Sequence, residues 1–257
     1  MHRRILIAAL IGAAGAFGVV GGVALDRAMP VASADGGSAF TCHGLPTAHE
    51  LRELLQAAPG AGGTVGGLFN GARMWAAVVN RAGELCAAAT STADPTQVWP
   101  GSQAIAKAKA YAANAFSLDT LALSTARLYT FTQPGHSLWS LGQSNLFNPR
   151  DLLAPNQANS DRNQIAGGLI FFGGGVPIYR NGSIVGGLGI SGDTSCADHE
   201  IAKRVRNLAG LNPAGGATAD DITYSSKDGA SVFTHPLCLN TWRNGLFIGD
   251  EAKAVGY

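Results

Sequence analysis

Charge is scarce in this chain: only 14% of its 257 residues are Asp, Glu, Lys or Arg, and the formal net charge is +1. Beyond residue 34 no extended stripe of Lys and Arg occurs, which excludes nucleic acid as a partner, because a phosphate backbone needs clustered cations. Aromatic residues make up 7% and Met occurs three times. Catalytic signatures are missing too. There is no His-Glu-x-x-His zinc motif and no phosphate-binding loop, and Ser191 in GISGD lacks the five-residue pattern of a nucleophile elbow. No other hydrolase or transferase constellation stands out, so enzyme status has no support from the residues alone.

A long apolar run does occur once, at the start. Arg3 and Arg4 precede the run from Ile5 to Leu25, and Ala32-Ser33-Ala34 offers small residues to a signal peptidase. Residues 1–34 are therefore expected to be a signal peptide cleaved after Ala34, with an uncleaved single-span anchor as the alternative. Either way the body is exported to the periplasm, cell envelope or exterior, and any membrane contact is made only through this segment. The Arg3-Arg4 pair also permits twin-arginine export. Four cysteines, Cys42, Cys86, Cys196 and Cys238, lie in the exported body, where two disulfides are the default and three pairings are possible.

Glycine is abundant, with 35 positions, and it punctuates a mixed pattern of elements. Thr47 and Glu50 form a capping box for a helix to about Ala57. Met74–Val79 and Glu84–Ala89 read as a hairpin about residues 80–83. Ser102–Phe116 and Leu118–Tyr129 read as helices, with Ser102 as the cap of the first. Residues 133–164 form a long polar insertion broken by prolines. Ile165–Phe172, Val176–Arg180 and Ser183–Ile190 read as strands, the last two joined by an Asn181-Gly182 turn, and a helix covers Asp198–Leu208. The expected fold is a single α/β domain, with a mostly antiparallel central sheet of about five strands and helices packed on it.

Gly187, Gly189 and Gly192 match the G-x-G-x-x-G spacing of nucleotide loops. That fingerprint needs a parallel strand-helix-strand unit, whereas the strand here belongs to an antiparallel hairpin. The glycines are read instead as sites of close packing or of a ligand's approach to the sheet.

Three blocks carry a family resemblance: MWAAVVNRAGEL (residues 74–85), WPGSQAIAKAKAYAANAFSLDTLALSTARLY (99–129) and GGGVPIYRNGSIVGGLGISGDTSCADHEIA (173–202). Together they resemble the GlcG/HbpS-type haem-binding family, also labelled a haem-degrading domain. The resemblance implies an α/β fold, haem or iron binding, and assembly into homo-oligomers. One departure is Ala112, which stands where the family core commonly has Thr. On this reading residues 35–210 are the GlcG/HbpS-like haem-binding domain, and 211–257 are a C-terminal extension docked on it.

Haem asks for an apolar slot, an axial ligand and cations for its propionates. The candidate metal ligands are His49, His136 and His199. Lys109, Tyr111, Gly189 and Ser191 on the family-like blocks, with His49 and His136, are the candidate cofactor contacts. Lys109 is expected to meet a propionate as a partly exposed charge. The Cys42-His43 pair in AFTCH also permits a single-thioether haem. The leading expectation is an exported protein that binds haem or a related tetrapyrrole, for storage, transport or sensing. The alternatives are a haem-dependent oxidoreductase or haem-degrading enzyme, and a ligand-free structural or interaction module.

The tail holds little apolar sequence and needs an anchor. A Cys196–Cys238 disulfide supplies one, which leaves Cys42 to pair with Cys86. The alternative for the same stretch is zinc held by Cys196, His199, His235 and Cys238, a C-x-x-H facing an H-x-x-C.

Overall fold

The computed structural model describes residues 41–143 and 168–255, all within the unit Asp35–Tyr257. The signal segment 1–34, the insertion from 144 to 164 and the start of the strand expected at 165 lie outside the described residues.

Strands β1 (Trp75–Asn80), β2 (Leu85–Thr90), β3 (Gly175–Arg180) and β4 (Ser183–Ser191) form one sheet in the order β2-β1-β4-β3, with every pairing antiparallel. Asn181 and Gly182 turn β3 into β4 at φ of 51° and 82°, the left-handed conformation that Asn and Gly tolerate. The sheet is covered on both faces. On one side Ala76, Val78, Val176, Ile178, Leu188 and Ile190 meet Leu51 and Leu55 of α1 (Ala48–Ala57) and Ile201 and Val205 of α4 (Ser195–Leu208). On the other, Trp75, Ala77 and Val79 meet Ala106 and Ala110 of α2 (Gly101–Ala115).

The spacing of Gly187 and Gly189 follows from that second contact. In the sheet register they lie opposite Val79 and Ala77, on the α2 face, and a Cβ on either would overlap the backbone of Ala110 or Ala106. Their absent side chains let α2 rest directly on β4, so the glycines serve helix–sheet packing. The far side of α2 is covered as well, with Ala112 packed against Leu128 and Phe171 and bordered by Phe116, Leu123 and Phe131. A helix buried on both sides needs small residues, which accounts for its alanine content.

Three expectations are corrected. Residues 118–129 are not a helix. Leu118 and Leu121 bridge, and 3-10 turns follow at Thr125–Leu128 and Thr130–Thr132. Polar side chains redirect this backbone: Ser117 Oγ donates to the Leu123 carbonyl and accepts its N–H, while Ser124 and Thr125 donate to the carbonyls of Asp220 and Phe172. Residues 168–172 make no ladder, because Phe171 turns into the cluster over α2, and among the described residues the central sheet has four strands, against about five expected. Ser102 does not cap α2, which starts one residue earlier behind Pro100, with no side-chain cap.

The tail carries structure of its own: a short α5 (Ser225–Asp228) and a hairpin of β5 (Thr241–Arg243) and β6 (Leu246–Gly249), turned by Asn244-Gly245 at φ of 53° and 76°. Residues Ile222, Tyr224 and Cys238 pack on Ala126 and Cys196. The charged face of α4 also holds the tail. Arg206, 0% exposed, forms a two-pronged pair with Asp220 at 2.9 and 2.6 Å, and Lys203 reaches Asp221 at 2.7 Å.

Both expected disulfides are present, Cys42–Cys86 and Cys196–Cys238. Among the described residues no helix is long and apolar enough to cross a membrane.

Candidate functional site

Lys109 leaves α2 toward the end of the sheet. Its Nζ lies 2.7 Å from Asp198 Oδ2 and donates to the Ile190 carbonyl at 3.0 Å, over the ring of Phe172 at 4.8 Å. The other Asp198 oxygen accepts the Asp193 N–H at 2.9 Å, and the Asp193 carboxylate accepts the N–H groups of Leu68 and Phe69, each at 2.7 Å. This chain of hydrogen bonds ties α2, β4, the start of α4 and the loop before β1 together. Burial pushes the Asp198 carboxyl up to about 6 while the Lys109 charge pulls it back, and burial lowers the Lys109 ammonium. The expectation of a partly exposed Lys109 is corrected, since its side chain is 0% exposed and its charge is already met by Asp198.

The other expected contacts on this side offer little room. Gly189 lies under α2, Ser191 is buried at the end of β4 opposite Trp75, and Tyr111 is half-buried against the Trp75 cluster. His136 is exposed in a turn closed by its own N–H to the Gln133 carbonyl at 3.0 Å. His49 is exposed on α1, with Nδ1 3.6 Å from Glu53 Oε2. Because α1 and α2 cover opposite faces of the sheet, His49 cannot share one ligand with Lys109 or Tyr111.

His199, an expected metal ligand, lies in the interior. It is 0% exposed, neither ring nitrogen has a hydrogen-bond partner, and burial holds its pKa well below the ordinary imidazole value. Asp221 lies 3.7 Å from Nε2, too far for a hydrogen bond. The four-residue zinc set is corrected: ligand atoms of Cys196, His235 and Cys238 lie within 4.8 Å of one another, His199 is not among them, and the two sulfurs are bonded to each other. His235 is pressed against Tyr129, ring centroids 5.0 Å apart, and burial lowers its pKa to about 4.

A cleft of about 520 Å³ opens on the other face, between α1 and the C-terminal end of α4. Leu45, Leu54, Ala57, Leu208, Ala209 and Leu211 form its apolar walls, with Glu50 and Glu53 at the rim. Outside the lining, His49 lies beside Glu53, and Arg180 donates to the carbonyl of Gly44, a lining residue. The sequence holds part of this signal. Glu50, Glu53, Leu54 and Ala57 follow helical spacing one step round from Leu51 and Leu55, leaving α1 a second, half-apolar stripe.

The model of the family described as "Haem degrading protein HbpS-like" matches residues 49–206, more than half of the chain. The chain belongs to this family. Among solved structures it is similar to the Klebsiella pneumoniae protein ORFY, with 23% identity over 54% of this chain and 76% of that one, at a TM-score of 0.40. It is also similar to a PduOC–haem complex, with 22% identity over 68% and 97% of the two chains and a TM-score of 0.45. A crystal structure of HbpS shows 20% identity over 63% and 89%, with a TM-score of 0.42. No curated protein matches the chain.

The family implies haem, and the two faces of the sheet answer that requirement differently. Over α2 the residues do not fit the group: Ala112 is 0% exposed beneath Leu128 and Phe171, and the Lys109 charge is taken. The α1/α4 cleft fits better. Its walls are apolar, its volume falls in the roughly 300–1,000 Å³ range of ligand pockets, and two of its lining residues, Glu53 and Gly44, are in contact with His49 and Arg180.

Proposed function

We propose that this is an exported protein that binds haem or a related planar tetrapyrrole in the cleft between α1 and α4, for storage, transport or sensing. The observation that carries the reading is a cleft of about 520 Å³, walled by Leu45, Leu54, Ala57, Leu208, Ala209 and Leu211, in a chain of the HbpS-like family. His49 and Arg180, beside the cleft, would be the side chains to ligate the iron and to meet a propionate. When bound, the haem would supply an iron centre for ligation or redox chemistry, and the apolar side chains of the cleft would keep water from it. The domain plan that goes with this reading is a targeting segment or membrane anchor at 1–34, the binding domain at 35–210 and a docked extension at 211–257.

Titration of the purified body with haemin tests the reading. A saturable Soret shift at micromolar haemin is expected. Leu208→Glu, at a cleft residue already 44% exposed, should weaken it at least about tenfold, the factor that each 1.4 kcal/mol represents. His49→Ala should move the Soret maximum with little change in thermal stability. No saturable shift would overturn haem binding, and a shift indifferent to both variants would overturn the cleft. Incubating the loaded protein with reductant or peroxide separates a binder from a haem-degrading or redox enzyme, which would turn over faster than free haemin.

A second reading, a ligand-free interaction module, is favoured by one observation: the chain's own Leu128, Phe131 and Phe171 cover the outer face of α2. It predicts no Soret shift in a fully folded protein.

A further inference from the structure

The group around the Cys196–Cys238 bond has the parts of a metal site. Cys196 and Cys238 offer two sulfurs, and the ligand atoms of these residues and His235 lie within 4.8 Å of one another. In the His235 ring, Nδ1 lies 2.7 Å from the Pro236 carbonyl, which can only accept, so Nδ1 carries the proton. The lone pair is then on Nε2, which accepts the Gly173 N–H at 3.2 Å and lies 3.5 Å from Ser195 Oγ. Ser195 Oγ in turn is 3.3 Å from Cys238 Sγ. An imidazole whose second nitrogen donates to a carbonyl is the usual support of a metal-bound histidine, because it fixes tautomer and ring orientation.

The surroundings also suit thiolates. Cys196 is the second residue of α4, a 14-residue helix whose N-terminal dipole favours negative charge. The backbone N–H of Cys196 points at Cys238 Sγ from 3.2 Å. Cysteine, histidine and hydroxyl donors packed this closely are a borderline-soft set that suits a tetrahedral divalent ion such as Zn²⁺. Two thiolates on one such ion sit about 3.8 Å apart, given Zn–S bonds of about 2.3 Å, so the sulfurs move apart when the disulfide opens. The 6.0 Å between the two Cα atoms leaves both side chains that freedom.

We propose that Cys196, His235 and Cys238 form a redox-gated metal site, closed as a disulfide and opened by a dithiol reductant to bind Zn²⁺ or a similar ion, with Ser195 Oγ or water as the fourth ligand. A dithiol delivers two electrons and two protons, its own sulfurs joining as a disulfide while the Cys196–Cys238 bond breaks to two thiols. The metal ion then replaces both thiol protons, which leave to solvent, and His235 gives its Nε2 lone pair in exchange for the Gly173 hydrogen bond. His199 takes no part.

The test uses the body carrying Cys42→Ser and Cys86→Ser, so that only one disulfide remains. The protein is reduced by a dithiol near neutral pH, freed of the dithiol under anaerobic conditions, and titrated with Co²⁺, an optical stand-in for Zn²⁺. One equivalent should raise thiolate-to-cobalt charge-transfer bands together with the intense visible bands of tetrahedral Co²⁺, and Zn²⁺ should displace them. The oxidised protein should show neither. His235→Ala should weaken binding by more than the roughly 10–100-fold that loss of a supporting partner costs. Zn²⁺ should also protect Cys196 and Cys238 of the reduced protein from alkylation, as read by mass mapping. Bands that persist after Cys196→Ser with Cys238→Ser, folded reduced protein without bands, a disulfide that resists the dithiol, or a reduced chain that unfolds and is not restored by Zn²⁺ would each overturn the proposal.

Discussion

At the scale of single residues, the Lys109–Asp198 pair ties α2 to the start of α4 inside the fold. Both side chains are withdrawn from water, and each makes the other's burial tolerable. Removing one partner leaves an uncompensated buried charge, so Lys109→Ala is expected to lower unfolding free energy by about 3–5 kcal/mol in urea titrations. Lys109→Met combined with Asp198→Asn neutralises both sides while Asn still accepts from the Asp193 N–H, and should recover at least half of that loss. A loss near 1 kcal/mol for Lys109→Ala would show that the pair is solvated. Sequence could not reveal this role, because the partners lie 89 residues apart and a lone helical lysine next to alanines has no visible counter-charge. Gly187 and Gly189 were legible by contrast: their i, i+2 spacing in a strand places both on one face, and a glycine pair on one face of a buried strand signals a backbone in close approach.

At the scale of elements, legibility depended on where the organising interaction lay. The capping box of Thr47 and Glu50 and the Asn181-Gly182 turn are local, and α1 and the β3–β4 hairpin follow from them. Asn244-Gly245 gives the same local signal for β5–β6, but strands of three and four residues are too short to show an alternating pattern, and they are held by the rest of the tail. The segment 117–132 misled because its apolar spacing is helical, while Ser117, Ser124 and Thr125 bond to carbonyls up to 96 residues away. The tail is held by more than its disulfide, since Arg206 and Lys203 of α4 engage Asp220 and Asp221. Replacing Cys196 and Cys238 by Ser should cost about 4 kcal/mol in the chain-entropy model for a separation of 42 residues. The Arg206–Asp220 pair, 0% exposed on both sides, should nevertheless keep the tail docked. Hydrogen exchange of residues 222–249 is thus expected to stay slow in the double Ser variant and to become fast in Arg206→Ala, and fast exchange in the Ser variant would make the disulfide the sole anchor.

At the scale of the whole molecule, the cleft between α1 and α4 joins parts of the chain about 150 residues apart, and only the three-dimensional fold brings its walls together. The formal net charge of +1 leaves little long-range repulsion to vary with pH, so individual buried groups should dominate acid sensitivity. His199 is the clearest of them. In the folded chain burial holds it neutral, reinforced by the charges of Lys203 and Arg206 on α4, of Arg127, and by His235. Asp221, 3.7 Å away, does not offset this because Lys203 engages the same oxygen at 2.7 Å. In the unfolded chain the imidazole returns to its ordinary value of 6.5. Below that pH the unfolded state binds a proton that the folded state refuses, so the stability this group contributes is complete above about pH 6.5 and is lost as the pH falls toward the depressed folded value. The slope from this residue approaches about 1.4 kcal/mol per pH unit on the acid side. His199→Leu removes the titration and forfeits no hydrogen bond, since neither ring nitrogen makes one. Urea midpoints measured from pH 8 to pH 5 should therefore be nearly level for both proteins down to about pH 7, then fall more steeply for the parent than for His199→Leu. Parallel curves would mean that the folded protein accepts the proton on His199, and that Asp221 pairs with it after all.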